Sequence, residues 1–479
     1  MEHLSMEQLN TIHVTKGPLS KESSNMDYLN MVSSKTDYLN MDSSRTDYQN
    51  MEYSNTDNFN TNHSNTNHID MEHVGIELEQ AIDIILSNCK EIESTEEIPV
   101  LQGNGRILAE DIYSLINNPP FDRSPLDGFA LCSKDIEGAS MTRTIKLTVI
   151  DKVYAGEYIE TELKQGQAIR IMTGAPIPKG ADCVIRIEDI EEEENELAYP
   201  TILVRKELKH HENYCFQGED VEKGQQILSS GKKLSFIEQG ILASVGINKI
   251  KVYRKAKVAV FVTGNELIMP GDKLMPGKIY DSNLHLLYAR LCELGIEPII
   301  VNFLPDDVNA TAKALKDSLL EVDFVITTGG VSVGDMDIFH EVITIMGAKR
   351  LFWKVKLKPG TPAMFSMYQD KPMFHLSGNP FAAATTFELL VRPYLSKICH
   401  DSTLVSCKSV AILKDEFKKK SKDRRFLRAK VENGFVTIPC LGKHSSGILS
   451  SMQDCNCLID IPAGSNMLQK GSQVDILLL

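Results

Sequence analysis

The chain has 479 residues, 42% hydrophobic and 24% charged, with a formal net charge of -14. That length exceeds one ordinary core, so several soluble domains are expected, and the acidity argues against non-specific binding to nucleic acid or to an anionic membrane surface. No apolar run approaches the roughly 20 residues of a bilayer span, and the N-terminus has no basic-then-apolar leader pattern, so the expected setting is the cytoplasm, with no nucleic-acid and no membrane partner.

Residues 1–72 differ in kind from the rest. "MDYLNM", "TDYLNM" and "TDYQNM" recur every ten residues from Met26, Thr36 and Thr46, followed by an Asn, Thr and His tract. Large apolar residues are too sparse there to bury a core, which predicts a disordered low-complexity tail. Order begins near Val74, where "GIELEQAIDIILSNC" sets Ile76, Ala81, Ile84 and Ile85 at helical spacing. From Ile145 to Val204 short β-like runs alternate with Gly and Pro, and the acid run "EEEENE" at 191–196 reads as a solvated hairpin loop between two of them. The ten cysteines are scattered without a CxxC pair, so they read as reduced thiols serving as small apolar residues.

From Lys257 the period changes. "KVAVFVTG" is a continuous apolar run, the mark of a strand covered on both faces. "DSNLHLLYARLCELG" follows, with Leu284, Leu287, Leu291 and Leu294 on one helical stripe, Asp281 or Ser282 as its cap and Gly295 at its end. "IEPIIVNFL", "DDVNATAKALKDSLLEV" and "DFVITTGG" continue as strand, helix and strand. This order predicts a doubly wound parallel sheet, with ligands beyond the carboxyl ends of its strands. Residues from about 400 to 479 return to short β-like runs and predict a small C-terminal β domain.

Chemistry-bearing residues gather at those strand ends. "TGNEL" brings Glu266, "LPDD" brings Asp306 and Asp307, and "TTGGVSVGDMD" brings Gly329, Gly330, Ser332, Gly334, Asp335 and Asp337. Glycines let backbone amides approach an anion, whereas acids at the same rim repel a phosphate unless a divalent cation lies between them. A metal-bridged phosphate ester reconciles the two; the alternative is that each acid caps a following helix. In "FWKVKLKPGTP", an extended backbone would set Lys354, Lys356 and Lys358 on one face, as an oxyanion site or as a solvated lysine-protected edge. "SGNPFAAATTFELLVRP" sets Pro380 at a helix start, where free amides suit an anion.

Together "SPLDGFA", "IMTGAPIPKGADCVI", "GED", "TGNEL", "GKIYDSN", "TTGGVSVGDMD", "KPGTPAMF" and "SGNPFAAATTFELLVRP", in this order from about Val74 onward, resemble the MoeA family of molybdopterin molybdenumtransferases, which includes the E domain of gephyrin. The resemblance implies a multidomain α/β fold: a linker domain over 73–120 and 213–252, a β-rich insertion domain over 121–212, a doubly wound parallel-sheet molybdopterin-binding domain over 253–398, and a C-terminal β domain over 399–479. It implies insertion of molybdate into the dithiolene of adenylylated molybdopterin with release of AMP, assisted by a divalent cation such as Mg2+. Carried over by motif, Glu266, Asp306 and Asp337 match the acids around metal and phosphate, Lys354 and Lys358 the catalytic lysines, and Gly329, Gly330, Ser332 and Gly334 the pterin-phosphate loop. Asp127, Thr173 and Asp220 match residues that face the partner subunit's active site, with Asp127 counted among the catalytic set. Pro380 joins the cofactor-binding set, and Ser446 matches a serine at the molybdate end. The resemblance further implies a homodimer with composite sites, working alongside other proteins of molybdenum-cofactor biosynthesis. Three departures stand out: Thr361 where a lysine is frequent, Asp423 where an arginine is common, and Asn265 where aspartate is usual. The alternatives are a molybdopterin adenylyltransferase, which shares the sheet domain, and a non-enzymatic molybdopterin-binding scaffold.

Overall fold

A computed structural model describes residues 73–193, 200–331, 338–439, 442 and 445–479. The repeat tail, and Ser332, Gly334, Asp335 and Asp337 of the glycine-rich stretch, lie outside the described residues.

The centre is a seven-stranded sheet in the order His73–Ile76, Lys349–Val355, Met364–Tyr368, Lys371–Leu376, Phe324–Thr328, Val258–Thr263, Ile300–Leu304. The four strands from Lys371–Leu376 to Ile300–Leu304 pair in parallel. Met364–Tyr368 runs antiparallel to both of its neighbours, which its short hairpin to Lys371 requires. Every residue of Val258–Thr263 is buried, as its unbroken apolar run predicts. Alternate side chains feed two cores. Val258, Val260 and Val262 pack with Leu284, Leu287 and Leu291 of the Asn283–Glu293 helix, whereas Ala259 and Phe261 pack with Leu315 and Leu319 of the Val308–Glu321 helix. Each such leucine contributes about 1.5–3 kcal/mol on burial.

Both helix caps come from acids. The Asp281 carboxylate accepts from the Asn283 and Leu284 N–H groups at 3.2 and 3.1 Å, while Ser282 makes no side-chain cap. Asp307 accepts from the Ala310 N–H at 2.7 Å. A helix starting at Pro380 runs on through a π-helical stretch, Phe387–Val391, into Arg392–Ile398. Pro393 lacks the N–H that the preceding turn would receive, which suits a local change of helical pitch there.

Residues 73–87, grouped by sequence with the 73–120 segment, extend this sheet. His73–Ile76 pairs in parallel with Phe352–Val355, and Leu78, Ala81 and Ile85 of the following helix enter the same core. Thr95–Pro99 and Lys249–Tyr253 form an antiparallel ribbon over a separate small core that includes Leu108, Leu234 and Leu242.

A second sheet has six strands in the order Cys183–Arg186, Gly128–Leu131, Gln167–Ile171, Ile145–Val153, Thr201–Val204, Ile190–Glu193. The acid run departs here from the loop expectation. Glu191 and Glu192 belong to the edge strand and face Arg205 and Arg170 at 2.5 and 3.3 Å, and Glu193 pairs with Lys146. Cross-strand cations neutralise the acids and let them pair as an edge; residues 194–196 lie outside the described residues.

In the C-terminal part, five strands close on themselves because Arg424–Glu432 pairs with both Phe435–Thr437 and Cys457–Ile461. The two-residue strand Leu357–Lys358 adds to Arg424–Arg425 and ties this barrel to the central sheet. Desolvation pushes the thiols of half-buried Cys399 and buried Cys457 up to about 12, so both stay uncharged and serve as small apolar groups.

Candidate active site

Four neighbouring parallel strands end at Thr263, Leu304, Thr328 and Leu376, and the residues just beyond each end line one cleft of about 600 Å³. Glu266, Asp306, Gly329, Gly330 and Pro380 line it, whereas Asp307 does not and caps the Val308–Glu321 helix, the alternative role open to these acids. The Asp306 carboxylate accepts from the Asn265 N–H at 2.8 Å, which ties the first strand end to the second.

The floor of the cleft depends on close backbone approach. Gly329 has φ +92°, and a Cβ there would lie 2.4 Å from the Thr263 carbonyl oxygen. Gly330 has φ +63° and abuts the Phe339 ring. Larger residues would push the two strand exits apart. Asn283, read from sequence only as part of a helix start, holds a third exit. Its amide donates to the Gly378 carbonyl at 2.8 Å, while its Oδ1 is buried without a partner among the described residues. The Thr263 hydroxyl is likewise buried without a partner there, although Thr263 is 4% exposed. The signal for Asn283 lay in "GKIYDSN", whose asparagine follows the capping aspartate.

The cleft is acidic. Asp281, Glu266 and Asp306 line it, and among its described lining residues there is no lysine or arginine. A phosphate here would meet backbone amides and carboxylates, an arrangement that requires a hard cation between the acids and the phosphate oxygens. Glu266 and Asp306 at one rim, with one Asp306 oxygen already fixed by an amide, suit such an ion. Among the described residues no group of three His, Cys, Asp or Glu side chains gathers, and Asp337 lies outside them.

The lysine row does not form as an alternating face. Lys354 has φ +63°, which breaks the extended run, and its ammonium sits 3.9 Å from the Trp353 ring centre, beside the residue it was expected to oppose. The cause is the return of the chain: the Lys354 and Val355 N–H groups donate to the Ala363 and Thr361 carbonyls, closing the loop around "KPGTP". Lys356 pairs with Glu77 at 2.8 Å and Lys358 with Asp423 at 2.9 Å. The Thr361 hydroxyl donates to the Leu357 carbonyl at 2.7 Å.

A smaller cavity of about 210 Å³ abuts the cleft. Lys358, Arg425, Arg428 and Ser446 line it. Arg428 is 3% exposed, with its guanidinium 4.2 Å from the Phe381 ring centre and an N–H donated to the Ser445 carbonyl at 3.0 Å. The Phe381 N–H donates to the Ser446 carbonyl at 3.0 Å, so the helix that starts at Pro380 joins the two cavities.

Asp127 and Thr173 come together elsewhere. Both the Thr173 N–H and its hydroxyl donate to Asp127 at 2.7 Å, which holds that carboxyl below its usual range. Asp220 accepts from the Asn118 amide at 2.9 Å. None of these three lines either cavity.

Comparison with known proteins matches three family models in chain order: the MoeA N-terminal region (domain I and II) over 76–246, a probable molybdopterin binding domain over 259–397, and the MoeA C-terminal region (domain IV) over 410–479. The molybdopterin molybdenumtransferase of Staphylococcus epidermidis is 37% identical over 406 residues, 84% of this chain and 95% of the relative. That of Bacillus subtilis is 37% identical over 388 residues, 80% and 90% of the two chains. A solved MoeA protein of molybdopterin biosynthesis from Pyrococcus horikosii superposes with a TM-score of 0.74 at 36% identity, covering 84% of this chain and 99% of that one. The chain belongs to the MoeA family of molybdopterin molybdenumtransferases.

Proposed function

We propose that this chain inserts molybdate into the dithiolene of adenylylated molybdopterin and releases AMP. The observation that carries the reading is the pairing of two adjoining cavities of opposite character: an acidic, amide-lined cleft and a small cationic pocket. The Gly330 amide in this glycine-bounded turn would donate to a phosphate oxygen, whereas the Gly329 N–H is already given to the Leu376 carbonyl at 3.2 Å and serves the backbone of the cleft floor. Glu266 and Asp306, with Asp337, would hold a divalent cation such as Mg2+, which when bound supplies charge balance for the pyrophosphate. Arg425, Arg428 and Ser446 bind the tetrahedral oxyanion and orient it toward the sulfurs. Lys358, which lines the small pocket, is a further cationic group of that site; Lys354, over the Trp353 ring, lines neither cavity, and the reading retains it as a catalytic lysine.

The reading includes a homodimer in which Asp127, Thr173 and Asp220, which line neither cavity of their own chain, face the site of the partner subunit. No described helix is long and apolar enough to cross a membrane, and the reading assigns the protein to the cytoplasm among other proteins of cofactor biosynthesis.

The test is AMP release by the purified chain from adenylylated molybdopterin, with and without molybdate, at fixed magnesium. Molybdate-dependent release is expected. Release that ignores molybdate would overturn the insertion step. ATP-dependent adenylylation would favour the adenylyltransferase reading, and tight pterin binding with no turnover the scaffold.

A further inference from the structure

The Lys358–Asp423 pair lies where the central sheet meets the C-terminal barrel. Leu357–Lys358 pairs in parallel with Arg424–Arg425, so Lys358 stands directly beside Arg425. Neighbours on adjacent strands point to the same face, and both side chains line the small pocket. Two like charges in that position repel. Asp423, two residues before Arg425 and just ahead of its strand, approaches the Lys358 ammonium to 2.9 Å. Asp423 itself does not line the pocket. Arg424, the intervening residue, is taken up on the other side by Asp460 at 2.8 and 2.6 Å and by Glu79. It therefore offers Asp423's neighbourhood no competing partner inside the cavity. The Arg425 Nε is buried without a hydrogen-bond partner among the described residues, and Arg428 is almost wholly buried.

We infer that Asp423 is a positioning residue that sets the charge of the oxyanion pocket: it draws the Lys358 ammonium to the rim and leaves Arg425, Arg428 and Ser446 to bind a tetrahedral dianion. This rests on the proposed transferase reading and names a control within that site. The Lys358 and Asp423 side chains are 48% and 35% exposed, so water screens the pair, and its effect on a bound dianion is modest. The consequence is a pocket with lower affinity for molybdate than its count of basic residues suggests, because its ammonium group is paired with a carboxylate just outside the lining.

The test titrates the full chain with molybdate alone, and in parallel with tungstate, by calorimetry at low ionic strength. The proteins are the natural chain, Asp423→Asn, Lys358→Gln and the double variant. Asp423→Asn is expected to tighten molybdate binding about tenfold, and the gain is expected to shrink to about threefold or less in the Lys358→Gln background, where there is no ammonium to release. Unchanged or weaker binding by Asp423→Asn overturns the inference, since the carboxylate would then be holding Lys358 in its working position. An equal gain in both backgrounds also overturns it, because the carboxylate would be acting only as a distant charge. If none of the four proteins binds either oxyanion while all keep the same Trp353 emission, the pocket is not an oxyanion site, and the transferase reading fails along with the inference. Asp423→Ser repeats the measurement should the asparagine variant not fold.

Discussion

Replacing Gly329 by alanine tests whether the cleft floor is built by backbone contact. Gly329 has φ +92°, and an added Cβ would meet the Thr263 carbonyl oxygen at 2.4 Å and its hydroxyl oxygen at 2.9 Å. The carbonyl is backbone at the end of a fully buried central strand, so it cannot swing aside as a side-chain tip would. A left-handed alanine costs about 1–2 kcal/mol, and forcing a methyl into filled space adds about 1–3 kcal/mol. The expected loss is therefore about 2–5 kcal/mol. Gly347 supplies the reference: its φ is +70° with nothing within 4 Å of an added Cβ, so Gly347→Ala carries the conformational cost without the contact. The chain contains one tryptophan, Trp353, whose indole N–H donates to the Val331 carbonyl at 3.1 Å, two residues beyond Gly329. Its emission during urea unfolding thus reports on this part of the sheet. Gly329→Ala should lower the urea midpoint well beyond Gly347→Ala and should also reduce AMP release. Equal midpoints for the two variants would mean that Thr263 does not press on Gly329, and the backbone-contact argument would be wrong.

Two further outcomes follow from buried charge. His375 is fully buried, with Nδ1 2.9 Å from the Thr327 hydroxyl and Nε2 2.8 Å from that of Ser366; burial, reinforced by the nearby His340, pushes its pKa from 6.5 down to about 3. Between those values the unfolded chain holds the extra proton, so stability falls as pH drops through the window, by at most about 1.4 kcal/mol per pH unit. His375→Gln keeps hydrogen-bonding capacity and should flatten the urea midpoint between about pH 6 and pH 4; an undiminished slope would show that other groups carry the acid sensitivity. Glu388, 5% exposed within the π-helical stretch, accepts from Arg290 Nε at 2.7 Å and Arg392 Nη1 at 2.6 Å. Glu388→Ala leaves the buried Arg392 guanidinium without its carboxylate, while Arg290 keeps Glu293 at 2.8 Å, and should cost about 3 kcal/mol by urea unfolding; a loss below about 1 kcal/mol would mean that water replaces the carboxylate there.

The central strands and their covering helices were legible because burial on both faces and a leucine stripe each leave a periodic mark. The strand-end residues were legible for the same reason: once the strands are found, topology alone brings Thr263, Leu304, Thr328 and Leu376 to one rim. What the sequence hid depends on partners far along the chain. The apolar alternation in 353–358 predicts an extended strand, but the turn-back to Thr361 and Ala363 puts Lys354 at positive φ, a conformation its residue type does not signal. His73–Ile76 carries no mark of belonging to the central sheet, because its parallel neighbour Phe352–Val355 lies in a distant segment. Asp423 was visible as a departure, though not as the partner of Lys358, since that contact exists only because Leu357–Lys358 crosses to the barrel. The acidic cleft is built largely from backbone and from residues on one sheet, so its chemistry is written locally in glycines and acids. The cationic pocket is assembled across two units, where one side-chain exchange can invert a charge without disturbing either fold. A side-chain exchange at the junction of sheet and barrel is therefore accommodated more readily than one at the floor of the cleft, where an added Cβ at Gly329 would meet the Thr263 carbonyl.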